Sequence, residues 1–167
     1  VKNHKFLIDI FEQLSNRCDK VRLLLVGCGE LSEYIQKYAA DRGLEDKVIF
    51  YGISKNVPEL LSAMDVFVLP SYFEGLPVVG IEAQCSGLPC FISSNVTKQL
   101  DLTGNIKFLP IDEGVMPWCD SIMEKVVDIQ KDVNAPEKLK KKMFDICDVA
   151  NEVCKKYRSI SGVNDNE

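Results

Sequence analysis

The chain has 167 residues, 46% hydrophobic and 27% charged, and its 20 Lys and Arg against 25 Asp and Glu leave a formal net charge of −5. This length suits one domain, whose core can bury roughly two-thirds of the unfolded surface. The apolar content, with 10 Gly and 7 Pro in no period, excludes disordered and collagen-like chains. The acid excess argues against a surface built for nucleic acid or anionic lipid, and Lys140, Lys141 and Lys142 read as a solvated helix face.

In chain order, Phe6, Leu7, Ile10, Phe11 and Leu14 fall at helical spacing and predict an amphipathic helix over 4–16. Val21 to Val26 is nearly continuous in its apolarity, as a strand buried on both faces requires, and Gly27-Cys28-Gly29 ends it. Leu31, Tyr34, Ile35, Tyr38 and Ala39 make a second helix, with Gly43 as its C-cap candidate. Strands follow at Val48–Tyr51, Val66–Leu69, Cys90–Ile92 and Ile106–Leu109, with helices at about 57–64 and 77–86 between them and Pro77 in the first turn of the latter. Beyond residue 114 the pattern is helical, through Trp118, Ile122, Val126 and Ile129, then Leu139, Met143, Ile146, Val149 and Val153.

The alternation predicts an α/β fold: a Rossmann-like, three-layer parallel sheet with helices on both faces and a helical C-terminus. Residues 1–160 read as one domain and 161–167 as a frayed tail. The opening at Val1, without Met and almost directly into a helix, reads as cut from a longer chain.

The seven cysteines form no Cys-x-x-Cys pair and are expected to be reduced and mostly buried. His4 is the only histidine, which argues against Ser-His-Asp and Cys-His hydrolases. No stretch approaches the about 20 apolar residues of a membrane span, and no signal-peptide core follows Val1, so the expected location is cytoplasmic.

In an open parallel sheet, ligands bind beyond the carboxyl ends of the strands, and two loops there carry unusual residues. Gly27 and Gly29 suit close approach of the backbone to a phosphate, though a plain strand-to-helix turn accounts for them equally well. The second loop, Leu69 to Ala83, holds Glu74 and Glu82 eight positions apart. A helix starting near Pro77 would offer an anion site at its N-terminus, beginning with the N–H groups of Gly75 and Leu76. Glu82 would lie about 8 Å along the axis, beside that site. A carboxylate there suits ribose hydroxyls, and Glu74 suits a sugar hydroxyl across the phosphates. The plainer alternative makes Glu82 a solvated helix residue and Glu74 a dipole-stabilised carboxylate. Against it, Val78, Val79, Ile81 and Ala83 surround Glu82 with apolar neighbours, where a buried carboxylate needs a partner.

Glu74 to Glu82 resembles the E-x7-E signature of retaining GT-B glycosyltransferases. Its context, Asp65 to Ser71, then Glu82-Ala83-Gln84 and Gly87-Leu88-Pro89, is similar to glycosyltransferase family four. The likeness runs through residues 2–160, with Lys2-Asn3-His4, Val26-Gly27-x-Gly29 and Phe50-Tyr51-Gly52 in the family's order; Val96 to Trp118 looks most like its capsular and exopolysaccharide branch.

The resemblance implies the donor-binding half of a retaining hexosyltransferase that takes a nucleoside-diphosphate sugar, UDP favoured, and passes the sugar to a glycan or lipid-linked acceptor. In that assignment Glu74 and Lys2 are catalytic, Glu74 near the sugar 3-hydroxyl and Lys2 at the leaving diphosphate. Glu82 holds the ribose, and Gly75, Leu76, Pro77, Gly27, Gly29 and Ser71 complete the donor site. No metal or other cofactor is implied, and the sequence has no Asp-x-Asp triplet. An acceptor-binding N-terminal domain, an arginine several residues ahead of Lys2, inactivity of this half alone and peripheral attachment to the inner face of the plasma membrane are further implications. The terminal helices would cross back to that domain, leaving Ile146, Val149 and Val153 partly exposed. The sequence departs from the family's pattern at Cys28 and Gln99. Two alternatives stand beside this reading: a sugar-nucleotide epimerase of the same architecture, which would need more acid–base groups than one histidine, and a non-catalytic nucleotide-binding or scaffolding domain.

Overall fold

The computed structural model of the chain describes residues 1–142 and 144–161. Helix α1 (His4–Arg17) forms on the predicted apolar stripe and is followed by β1 (Leu23–Val26), α2 (Ser32–Ala40), β2 (Val48–Gly52), α3 (Val57–Ser62) and β3 (Phe67–Leu69). Then come α4 (Val78–Cys85), β4 (Cys90–Ser93), a short 3-10 turn at Lys98–Leu100, β5 (Ile106–Leu109), α5 (Met116–Val126), α6 (Ala135–Lys141) and α7 (Ile146–Ser161). Met143 and residues 162–167, the bulk of the expected tail, lie outside the described residues.

Every strand pairing is parallel, as the apolar runs predict. The strands nevertheless form two ladders, β1-β2 and β3-β4-β5, where the sequence suggested one sheet. Hydrophobic periodicity specifies which faces of a strand are buried, not which edges meet.

Three apolar clusters make the layers. On β4, Cys90 and Ile92 point into a cluster with Leu61 of α3, Ala83 of α4 and Leu88, while Phe91 points the other way, to Ile10 and Leu14 of α1 and Trp118 and Ile122 of α5. This alternation is what burial on both faces requires. The opposite turns of α1 send Ile8 and Phe11 into a third cluster with Ile35, Ala39 and Val48, so α1 packs across both ladders. Trp118 is completely buried; its indole N–H donates to the Pro110 carbonyl at 2.7 Å, and Phe6 meets its ring edge-on.

Three expectations change in detail. Pro77 stands just ahead of α4, in extended conformation, rather than inside its first turn. Ile129 lies beyond the end of α5. The cysteines are all free, but only Cys90 and Cys119 are buried; Cys28, Cys85, Cys147 and Cys154 are exposed because their loop or helix face points to solvent, which composition does not reveal. The apolar side of α7 is open as expected, with Ile146 and Val153 exposed.

Candidate functional site

The loop between β3 and α4 leaves the carboxyl end of β3 through two fully buried residues, Pro70 and Ser71. Glu74, three residues on, is anchored through its main chain by an isolated parallel bridge to Val96, from the segment after β4. Its carboxylate is largely covered, and two donors converge on a single oxygen. The Lys2 ammonium lies 2.9 Å from Glu74 Oε1, and the Ser71 hydroxyl donates to the same atom at 3.2 Å. Oε2 has no partner among the described residues.

Lys2 reaches this loop because the chain before α1 is tied to it. The Tyr72 N–H donates to the Val1 carbonyl at 3.0 Å. Asn3 then turns the backbone through the left-handed region, at φ 57°, and enters α1. Asparagine is one of the few residues with a side chain that visits this region readily. Its Nδ2 is buried without a hydrogen-bond partner. His4 follows, and partial burial, then the Lys2 charge, hold its imidazole below the ordinary pKa.

Helix α4 begins within a few residues of Glu74, and the exposed Gly75 and Leu76 precede it at its positive end. Glu82 sits half-buried on that helix, and its carboxylate has no hydrogen bond or ion pair among the described residues. Tyr72 and Phe73 are exposed, so neither braces the loop from inside.

The glycine loop is more committed than its sequence suggests. Gly27, at φ 119°, donates its N–H to the Gly52 carbonyl at 2.7 Å, and Gly29 donates to the Ser32 hydroxyl at 3.1 Å. The Gly27 amide thus extends the β1–β2 ladder, and the Gly29 amide closes the turn into α2.

The structure therefore brings Lys2, Ser71 and Glu74 into direct contact, sets Gly75, Leu76 and Pro77 beside them, and puts Glu82 on the adjoining helix. No described contact joins Gly27 or Gly29 to that cluster. Sequence reasoning placed Asn3 and Val96 in family-like stretches but gave neither a role; asparagine's tolerance of positive φ was the physical signal for the first, and no local pattern directed the second to Glu74. No group of three or more His, Cys, Asp or Glu side chains that could hold a metal ion occurs among the described residues.

Residues 1–108 match the family described as "Glycosyl transferases group 1". The chain is 41% identical over 123 residues to EpsF of Bacillus subtilis, covering 73% of this chain and 32% of that protein. It is 42% identical over 72 residues to the UDP-Gal:alpha-D-GlcNAc-diphosphoundecaprenol alpha-1,3-galactosyltransferase of Escherichia coli, covering 42% of this chain and 19% of that one. The chain thus spans a third or less of the length of these relatives. The fold is similar to that of HepE from Anabaena in its complex with UDP-glucose, with a TM-score of 0.75 and 22% identity over 95% of this chain and 45% of that one.

Proposed function

The chain belongs to the group 1 glycosyl transferases, and from that premise we propose that it is the donor-binding half of a retaining hexosyltransferase using a UDP-sugar in polysaccharide assembly. The observation that carries the proposal is the convergence of Lys2 and Ser71 on one oxygen of Glu74. This leaves Oε2 available to a ligand at the carboxyl edge of the strands, where open parallel sheets bind nucleotides.

In this reading Glu74 Oε2 accepts a hydroxyl of the transferred sugar and Glu82 holds the ribose. Gly75 and Leu76 lie where the positive end of α4 meets the diphosphate. Ser71 and Pro77, both buried, act through the loop they support. The Lys2 ammonium, with three donors, can keep one on Glu74 and turn another toward the diphosphate.

In the reaction the bond from the anomeric carbon to the diphosphate oxygen breaks, and its electron pair leaves with the diphosphate. The acceptor hydroxyl bonds to the same face of that carbon, and its proton passes to the departing phosphate oxygen. Positive charge placed where negative charge develops is the main assistance this site offers.

The UDP-galactose named for the Escherichia coli relative and the UDP-glucose bound to HepE support the choice of donor. The diphosphoundecaprenol acceptor in the former's name supports a lipid-linked acceptor, and with it peripheral attachment of the whole protein to the inner face of the plasma membrane. Among the described residues no helix is long and apolar enough to cross a membrane. The test is transfer by the complete polypeptide from UDP-hexoses to a polyprenyl-diphosphate sugar, with the product's anomeric configuration read by NMR. Retained configuration supports the proposal; inversion, or interconversion of free sugar nucleotides without transfer, refutes it.

A further inference from the structure

Gln84 lies two residues past Glu82 on α4 and is buried to 1% exposure. A buried primary amide has donors and acceptors that must all be satisfied, because each one left unpaired in the interior is costly. Here they are. Nε2 donates to the Gly80 carbonyl at 3.0 Å and to the Leu100 carbonyl at 2.9 Å. Oε1 accepts from the Leu102 N–H at 2.9 Å and from the Thr103 N–H and hydroxyl, each at 3.2 Å.

All of these partners except Gly80 lie on the segment after β4, and that segment also reaches Glu74. Val96 bridges the Glu74 main chain, and Leu100 packs so closely on α4 that a Cβ at Gly80 would meet its Cδ2 at 3.0 Å. The contacts close a ring. From Glu74 the chain enters α4 and passes Glu82 to Gln84; hydrogen bonds cross to Leu100, Leu102 and Thr103; the segment returns through Val96 to Glu74. Both carboxylates lie on the covalent arc of this ring, Glu74 at its start and Glu82 just ahead of Gln84, and the returning segment ties the two ends of that arc together, so its closure fixes how Glu82 stands relative to Glu74.

Resting on the reading of Glu74 as the sugar contact and Glu82 as the ribose contact, we propose that Gln84 is a positioning residue that fixes the separation of the two carboxylates, so that the site grips the nucleotide and the hexose of one donor together. A ligand ending at the nucleotide needs only the Glu82 side and tolerates a change in that separation. A ligand spanning both carboxylates does not. Loss of the Gln84 crossing therefore weakens the long ligand selectively, whereas a general loss of stability weakens both alike.

The test is calorimetric titration of UDP-glucose and UMP into the chain and into its Gln84→Met variant, which keeps the side-chain length and removes the hydrogen bonds, with circular dichroism to confirm folding. Affinity for UDP-glucose falls at least tenfold and that for UMP changes less than twofold. Equal losses for the two ligands, or no loss for either, overturn the positioning role. Failure of the unaltered chain to bind UDP-glucose overturns the donor-site reading itself, and the positioning role falls with it. If Gln84→Met does not fold, Thr103→Val removes only the hydroxyl from Oε1 and carries the same comparison. Its expected result is about a threefold loss confined to UDP-glucose, and an equal loss for UMP refutes the proposal.

Discussion

The Lys2 ammonium stands 2.9 Å from Glu74 Oε1, joining the segment ahead of α1 to the loop after β3. Lys2 is about half exposed, so the pair contributes little to folding: exposed ion pairs are worth about 0–1 kcal/mol. Its value lies in placing a cation beside the carboxylate where the donor is proposed to bind. Lys2→Met should leave the urea midpoint of the chain nearly unchanged. In the complete enzyme it should lower kcat by about 10²-fold or more, the scale seen when one group stabilising a developing negative charge is removed. A large loss of stability with kcat intact would contradict this.

Ser71 is predicted to behave differently because it is fully buried. Ser71→Ala removes its hydrogen bond to Glu74 and should cost about 1 kcal/mol of stability, measured by urea unfolding.

Asn3 gives a prediction of the opposite sign for two substitutions. At φ 57° a glycine is unstrained, so Asn3→Gly should hold or raise the thermal midpoint, and it also removes the buried, unpaired Nδ2. Asn3→Val forces a β-branched residue into the left-handed region and should cost roughly 1–2 kcal/mol or more.

Much of this architecture was legible in the sequence, for a physical reason. Periodicity reports faces: the apolar run at Cys90–Ile92 correctly announced a parallel strand covered on both sides, whereas the run at Val21–Val26 gave a parallel strand, β1, that is only half-buried and ends on the exposed Val26. The spacing of Glu74 and Glu82, with Pro77 between them, likewise placed one carboxylate in a loop and the other on the following helix. What stayed hidden were relations between distant segments. Whether β1 and β3 share a ladder depends on edges, which no pattern encodes. The pairing of Lys2 with Glu74, the bridge from Val96 and the ring through Gln84 depend on where the chain returns, and Gln84 looked like one more residue of an apolar helix.

Gly87 provides a test of that returning path. It sits at φ 74°, and a Cβ there would meet the main-chain oxygen of Asp132 at 2.7 Å. The Asp132 N–H also donates to the Gly87 carbonyl at 2.9 Å, so the two segments are held together and neither can yield cheaply. Gly87→Ala combines backbone strain of roughly 1–2 kcal/mol with this clash and should lower stability by more than about 2 kcal/mol in urea unfolding.

Thiol reactivity should report the burial pattern directly. Burial pushes the Cys90 thiol up to about 12 and Cys119 up to about 11, because a thiolate is poorly solvated in the interior. At pH 8 their thiolate fractions are on the order of 10⁻⁴ and 10⁻³, against about a quarter for an unperturbed thiol. Iodoacetamide at pH 8 should therefore label the exposed Cys28, Cys85, Cys147 and Cys154 first, and peptide mapping should find Cys90 and Cys119 unmodified until the chain unfolds.

The donor site itself is tested most directly by calorimetric titration of UDP into the chain and into Glu82→Ala, after the variant is shown to be folded. The expected result is binding by the unaltered chain that weakens more than tenfold in the variant, about 1.4 kcal/mol. Equal affinity in both, or no binding of UDP at millimolar concentration, would contradict the assignment of this edge of the fold to a nucleotide-sugar donor.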